Sequence, residues 1–252
     1  MAVPNPLFEY LLRLGDNCLI LGHRVSEWCG HGPILEEDLA LANVALDLIG
    51  QAKLWLTLAG EVEGEGRDAD KLAYLRDAGE FRNLLLVEQK NGDFAFTMTR
   101  QFLFDTWHYL LLRELRRSTD SRVAEIADKA EKEAAYHLER SGDWMVRLGD
   151  GTQESHRRMQ RAVNILWPYT GELFEMDEID DALLRPGVSV DLAALRQPWH
   201  EHVGAMLEQA TLEQPKSGWA QRGGKRGIHS EHLGFLLAEM QFLQRAYPGA
   251  SW

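Results

Sequence analysis

Aspartates and histidines stand in this chain at positions where a helical bundle could hold metal ions. Asp16, Asp47, Asp105 and His137 each occur one turn from apolar residues of a helical pattern, so each is predicted to face an interior rather than solvent. His108 follows Asp105 by three residues, which places both side chains on one face of a helix. Carboxylate and imidazole groups at such positions hold the metal pair of di-iron bundles, whose chemistry is the activation of O₂.

The set of metal-binding side chains is incomplete, however. In a di-iron bundle one helix of each pair supplies a Glu or Asp, and the other supplies Glu-x-x-His. Gly50 stands where a histidine should follow Asp47, and Ala134 stands where a carboxylate should precede His137. We therefore predict that this chain has no catalytic residues and no working metal site. The vestigial di-iron positions are Asp16, Asp47, Gly50, Asp105, Ala134 and His137.

Several interpretations of these positions stay open at this point. The buried Asp and His groups can form a satisfied hydrogen-bond or ion-pair network, or they can hold a weak, non-catalytic metal ion. A third interpretation is a ferritin-like oxygenase or oxidase that is active by itself and also uses His108 and Glu133, and a fourth is a metal-storage or sensing bundle. Glu133 is turned about 100° from the face of Ala134. The network could be joined by His23, Gln51, Gln101 or Glu133.

The elements that must position these residues are predicted to be long helices. No proline lies between Pro33 and Pro168, and proline is the strongest helix breaker. Apolar periodicity predicts four helices, separated by a short, a long and a short connection, which is the ferritin-like order. The predicted helices cover about 7–29, 36–59, 94–117 and 121–148, with short pieces within 68–92 and further helices over about 152–167, 190–212 and 229–246. Residues 168–189 are predicted to be irregular.

The predicted fold class is therefore all-α: a ferritin-like four-helix bundle with additional C-terminal helices. We expect a single domain over 1–252, with a core bundle at about 7–148 and a helical extension at about 150–252. The formal net charge of −12 argues against nucleic acid as a partner. We expect neither a membrane span nor a signal peptide, and the two cysteines fit a reducing cytoplasm.

A basic, glycine-rich loop is a second candidate site. The stretch SGWAQRGGKRG spans residues 217–227 and precedes a predicted helix. Such a loop can contact an anion, and a tryptophan within so polar a segment favours a protein interface. Farther back, His200 and His202 point in different directions on a helix, so a shared metal ion is not expected. The residues of the possible interface or anion loop are Trp219, Arg222, Lys225, Arg226 and His229.

Long blocks of the chain resemble a known family from about Leu7 to Trp252. The blocks are LGDNCLILGHRVSEWCGHGPILEEDLALANVALDLIGQAKL, EFRNLLLVEQKNGDFAFTMTRQFLFDTWHYLLL, KEAAYHLERSGDWMVRLGDGTQESHRRMQ, WPYTGELFE and GIHSEHLGFLLAEMQFLQRAYPGASW. They are similar to the non-catalytic, PaaC-type subunits of bacterial phenylacetyl-CoA ring 1,2-epoxidases, also called phenylacetate-CoA oxygenases.

The resemblance implies a role as a structural subunit of a monooxygenase complex. That complex epoxidises the aromatic ring of phenylacetyl-CoA with O₂ and NADPH-derived electrons. The implied partners are a homologous catalytic A-type subunit with the di-iron site, a small B-type subunit, and a reductase with FAD and an iron–sulfur cluster. No cofactor is implied for this chain, and the absence of ligands at Gly50 and Ala134 agrees with a non-catalytic role.

Overall fold

The computed structural model describes residues 5–216 and 218–250. It is 71% helical and has no strand among the described residues, so the all-α prediction is confirmed. Short 3₁₀ turns connect several of the helices. The helices are α1 Pro6–Ser26, α2 Leu35–Glu63, α3 Ala69–Tyr74, α4 Phe94–Leu115, α5 Ser121–Gly149, α6 Gln153–Leu166, α7 Glu178–Leu184, α8 Arg196–Gln209, α9 Glu231–Met240 and α10 Phe242–Ala246.

The chain divides into two compact units. The first unit runs up to Lys90 and takes in the chain from Gly223 onward, and the second is continuous from Asn91 to Arg222. This division differs from the predicted core bundle followed by an extension, because the last helices join the first three. Whether the chain behaves as a single domain remains a prediction.

In the first unit, α1 packs along α2 at close range. A Cβ atom at Gly15 would lie 2.8 Å from the Leu56 side chain, and one at Gly22 would lie 3.0 Å from Ile49 Cγ1. These two glycines on one face of α1 let the helices approach closely. Asn5 caps α1 by accepting a hydrogen bond from the Leu7 N–H at 3.0 Å.

The end of α2 differs from the prediction. The helix continues past Gly60 to Glu63 and ends at Gly64, which adopts a left-handed conformation. Gly60 is a contact residue rather than a breaker, because a Cβ atom there would lie 2.0 Å from the Arg67 carbonyl oxygen. The sequence signal for a helix end was therefore a signal for close backbone approach.

In the second unit, α4 and α5 pack together and α6 and α8 pack against both. Asp93 caps α4 by accepting from the Phe96 N–H at 2.9 Å, as predicted, and Asp120 caps α5. The buried Trp199 indole on α8 donates to the Leu103 carbonyl of α4 at 3.0 Å. These bonds fix the side-chain positions on the buried face of α4.

Two connecting segments differ from the prediction. Residues 80–89, predicted to include a helical piece, are turns and extended chain after a short 3₁₀ turn. Their backbone amides donate to side chains of α1 instead of to a helix ladder: Arg82 N–H to Asp16 at 2.8 Å, and Leu84 N–H to Asn17 at 2.8 Å. The segment predicted to be irregular contains α7, whose first turn is capped by Asp177.

Within the part of the chain that the structure describes, one helix, α2, is long and apolar enough to cross a membrane by length and composition alone. Its most apolar 18 residues have a mean hydropathy of 1.3, and 44% of that window is buried inside the protein. Helices in the cores of water-soluble proteins pass the same test, so the expectation of no membrane span remains a prediction.

Candidate functional site

The buried face of α4 and α5 carries Asp105, His108 and His137. All three side chains are buried. Asp105 accepts a hydrogen bond from Ser141 and interacts electrostatically with His137, while its Oδ1 atom has no hydrogen-bond partner among the described residues. Burial raises the pKa of Asp105 to about 6, against the opposing attraction of His137.

His108 lies in an aromatic environment one turn from Asp105. Its ring centroid is 5.0 Å from that of Phe104 and 6.5 Å from that of Trp107. Burial, followed by the charge of His137, lowers the pKa of His108 to about 3. The imidazole is therefore neutral at neutral pH, a form that suits a metal ligand and a packed core residue equally well.

The missing carboxylate on α5 is not replaced by its neighbour. Ala134 is buried, whereas Glu133 is only partly buried and lies off the face that carries Ala134 and His137. On α4, both polar atoms of the buried Gln101 side chain lack a hydrogen-bond partner among the described residues. This face therefore offers one carboxylate and two imidazoles.

Asp16 in the first unit is engaged in an ion pair. Its fully buried carboxylate binds the Arg76 guanidinium through both oxygens, one of them at 3.0 Å, and accepts the Arg82 backbone N–H at 2.8 Å. Arg76 is also buried and lies over the Phe81 ring, 4.3 Å from its centroid. The ion-pair interpretation holds for Asp16, but its partners are Arg76 and Arg82 rather than the four residues predicted. Gln51 instead accepts the Cys18 thiol at 3.6 Å.

Asp47 and Gly50 lie away from the buried face of α2. Asp47 is partly buried and Gly50 is exposed, with open space where a Cβ atom would stand. The predicted inward orientation of Asp47 is thus met only in part. The physical reason is that α2 carries leucines all round: Leu39 and Leu46 are exposed, so apolar neighbours do not identify its core side.

No group of three or more His, Cys, Asp or Glu side chains within residues 5–216 and 218–250 is placed where it could hold a metal ion. His200 and His202 on α8 make separate ring contacts, the first with Trp167 and Phe174 and the second with Phe102.

The structure divides the basic loop between the two units. In the second unit, Trp219 is 75% exposed and Arg222 forms an ion pair with Glu175 at 2.7 Å. Both residues line a cavity of about 510 Å³. In the first unit, Lys225 and Arg226 lie on a 3₁₀ turn.

His229, the last predicted residue of that loop, belongs to a buried ion pair. Its Nδ1 lies 2.8 Å from Glu88 Oε2, and its Nε2 lies 3.0 Å from the Phe81 carbonyl oxygen. Because both ring nitrogens face acceptors, the ring satisfies both only as an imidazolium. Burial alone would lower the pKa of His229, but the hydrogen bond and charge of Glu88 raise it above the usual value.

Glu88 also occupies the place predicted for an external anion at the following helix. Its Oε1 accepts the Ser230 backbone N–H at 2.6 Å, just before α9 begins, and its Oε2 accepts from Asn83 at 3.0 Å. Sequence reasoning missed Glu88 and Arg76. The only signal for Glu88 is a lone acid after the apolar run NLLLV, and nothing local marks Arg76.

The all-α fold is that of a ferritin-like protein. The family model described as "Phenylacetic acid catabolic protein" matches residues 2–252, and the chain belongs to that family. A similar protein is the C subunit of the 1,2-phenylacetyl-CoA epoxidase of Escherichia coli (strain K12). It is 54% identical over 248 residues, which cover 98% of this chain and 100% of that protein.

Proposed function

We propose that this chain is the structural, non-catalytic subunit of a phenylacetyl-CoA 1,2-epoxidase that acts in aerobic phenylacetate degradation. The observation that carries the proposal is the 54% identity to the C subunit of such an epoxidase, along the full length of that protein. Identity at this level over whole chains is consistent with the same place in the same assembly.

The donor set supports a non-catalytic role. Asp16 is neutralised by Arg76, and Gly50 and Ala134 provide no ligand. The remaining side chains, Asp105, His108 and His137, do not fit a pair of iron ions, which requires bridging carboxylates and two Glu/Asp-x-x-His pairs. We therefore assign no reaction step to a metal in this chain.

The partners follow from the same assignment. A homologous catalytic A-type subunit would hold the di-iron site and the CoA thioester, a small B-type subunit would complete the oxygenase, and a reductase with FAD and an iron–sulfur cluster would supply NADPH-derived electrons. The assembly would be a cytoplasmic hetero-oligomer that acts on neither nucleic acid nor membrane.

A second candidate function, a metal-binding oxygenase or oxidase active by itself, is favoured by one observation. Asp105 Oδ1 and both polar atoms of Gln101 are buried without hydrogen-bond partners among the described residues. Such groups call for a water or an ion as partner. The two functions predict different metal contents and different effects of removing Asp105 and His137.

The test is the iron content of the full chain, expressed alone and together with the catalytic subunit in iron-supplemented medium. We expect almost no iron in the isolated chain, iron in the complex, and no oxidation of phenylacetyl-CoA by the isolated chain with iron and reductant. About two irons per isolated chain, as in a two-metal site, would contradict the non-catalytic assignment.

A paired variant separates the two functions further. The double substitution Asp105→Asn and His137→Gln removes two of the three remaining donors while keeping side chains of similar size. Copurification with the catalytic subunit serves as the folding control. If the chain is structural, the complex containing the variant keeps its iron and its epoxidation rate; loss of either in a correctly assembled complex favours the second candidate.

A further inference from the structure

A cavity in the second unit has no role in the function proposed above. It has a volume of about 510 Å³, within the range of small-molecule sites in proteins. It is formed by the stretch around Trp167–Glu175, the start of α8 and the loop before Arg222. Its principal lining residues are Trp167, Phe174, Arg196, His200, Trp219 and Arg222.

One wall of the cavity consists of aromatic side chains, two of which are buried in the core of the second unit. Trp167 and Phe174 are buried, and the ring of His200 is stacked on Phe174 at 6.2 Å with an interplanar angle of 30°. The Trp167 ring centroid also lies 6.2 Å from that of His200. Trp219 stands on the lining with three quarters of its surface exposed. Trp167 and Phe174 support this wall from the core side, and the rings left open to a planar ligand are the partly exposed His200 and the exposed Trp219.

The charge of the lining is opposite to that of the protein. Three cations and one carboxylate line the cavity, whereas the whole chain carries a net charge of −12. The carboxylate, Glu175, is paired with Arg222 at 2.7 Å. The Arg196 guanidinium lies 5.0 Å from the centroid of the Phe174 ring. The net excess of two positive charges matches a phosphate dianion, and arginine is suited to binding phosphate oxygens through two hydrogen bonds.

We propose that this cavity binds a purine nucleotide, with the base against His200 and Trp219 and the phosphate at Arg196 and Arg222. The volume of about 510 Å³ lies within the range of sites for small organic ligands of this size. The nucleotide is either free in solution or the nucleotide end of an acyl-CoA thioester. The second source rests on the proposed function, whereas the first does not.

The test is isothermal titration of the full chain, alone and in complex with the catalytic subunit, with AMP, CoA, inorganic phosphate and benzoate. We expect AMP and CoA to bind and the two smaller anions to bind at least tenfold more weakly. The substitution Arg196→Gln removes an exposed cation of the lining, and this variant should bind AMP about tenfold more weakly. An unchanged thermal unfolding midpoint checks that the loss of its contact with Phe174 has not altered the fold. Arg161→Gln, which removes an exposed charge of α6 outside the cavity, is the matched control.

The outcomes decide both the site and the source of the nucleotide. Tighter binding of CoA than of AMP assigns the acyl-CoA source, and equal binding assigns a free nucleotide; both support the site if Arg196→Gln weakens them. Three outcomes would overturn the proposal. The first is that AMP does not bind, the second is that benzoate or phosphate binds as tightly as AMP, and the third is that Arg196→Gln leaves the affinity for AMP unchanged. Copurification of the two subunits is scored separately, so failure here leaves the proposed function intact.

Discussion

Asp105 and His108 lie one helical turn apart on α4, and burial shifts their pKa values in opposite directions. The pKa of Asp105 rises to about 6 and that of His108 falls to about 3. Both shifts have the same cause, since a dry environment disfavours the charged form of either group. The two groups are thus held neutral around pH 5, where an exposed pair would carry both charges.

For Asp105 the effect on stability has a definite sign. Because its folded pKa is raised, the stabilisation is complete below the ordinary pKa of an aspartate and is lost as the pH rises through about 6. Asp105→Asn removes the charge. We expect its free energy of unfolding, relative to the wild type, to increase by about 2 kcal/mol between pH 4 and pH 7, as measured by urea denaturation at several pH values.

His108→Gln is the companion variant for that experiment. The folded pKa of His108 is lowered, so the wild type loses stability as the pH falls from about 6.5 toward 3. The variant should therefore gain relative stability in that direction, opposite to Asp105→Asn. Parallel pH profiles for the wild type and Asp105→Asn would mean that Asp105 titrates normally in the folded protein.

At the scale of the elements, local sequence patterns predicted the positions of the long helices well. They predicted poorly which side chains from distant parts of the chain pair with the buried polar residues. Asp93 and the apolar periodicity located α4, and the four long helices are present with ends shifted by a few residues. Gly60 misplaced the end of α2, because a glycine required for close approach looks like a helix breaker in the sequence. Asp16 was correctly placed in an interior, but its partner Arg76 is 60 residues away along the chain, and periodicity carries no information about such pairs.

Glu88 and Phe81 bind His229 and Ser230, which connects residues 81–88 to the segment before α9. The contribution of this connection to stability depends on pH. The folded pKa of His229 is raised by Glu88, so the stabilisation is complete below the ordinary pKa of a histidine and is lost as the pH rises through the higher folded value. We expect His229→Gln to lower the free energy of unfolding by about 3 kcal/mol at pH 6 and by less at pH 9. Chemical denaturation at the two pH values measures this.

The control for this variant is Arg226→Gln, which changes an exposed cation of the neighbouring 3₁₀ turn. It should leave stability unchanged at both pH values. An equal loss in His229→Gln at pH 6 and pH 9 would indicate that the imidazole is neutral in the folded protein and acts only through packing.

At the scale of the whole molecule, many large apolar side chains remain exposed. They include Leu35, Leu39 and Leu46 of α2, and Phe235 and Phe242 near the end of the chain. Contiguous apolar surface marks interaction sites, so these side chains are the candidates for contacts with the proposed partner subunits. The predicted vestigial site stays a prediction at this scale. Asp16, Asp47 and Gly50 belong to the first unit, and Asp105, Ala134 and His137 belong to the second.

A protein that depends on a partner should be stabilised by it. We expect the thermal unfolding midpoint of this chain to rise when the catalytic subunit is added, and to rise further with its concentration, because binding to the folded state alone shifts the equilibrium. Differential scanning fluorimetry with a label on this chain measures the effect. An unrelated helical bundle at equal concentration is the control, and an unchanged midpoint with a monodisperse monomer would argue against an obligate partner.

The discontinuity of the first unit sets an order of events during synthesis. The second unit is continuous from Asn91 to Arg222, so it can fold as soon as those residues have left the ribosome. Glu88, by contrast, is translated long before His229 and Ser230, the groups that neutralise and bind its carboxylate. The first unit therefore cannot be completed until nearly the whole chain has emerged, because Glu88 has neither its imidazolium nor the Ser230 amide before then. Premature termination before Gly223 would leave the unit without its closing segment.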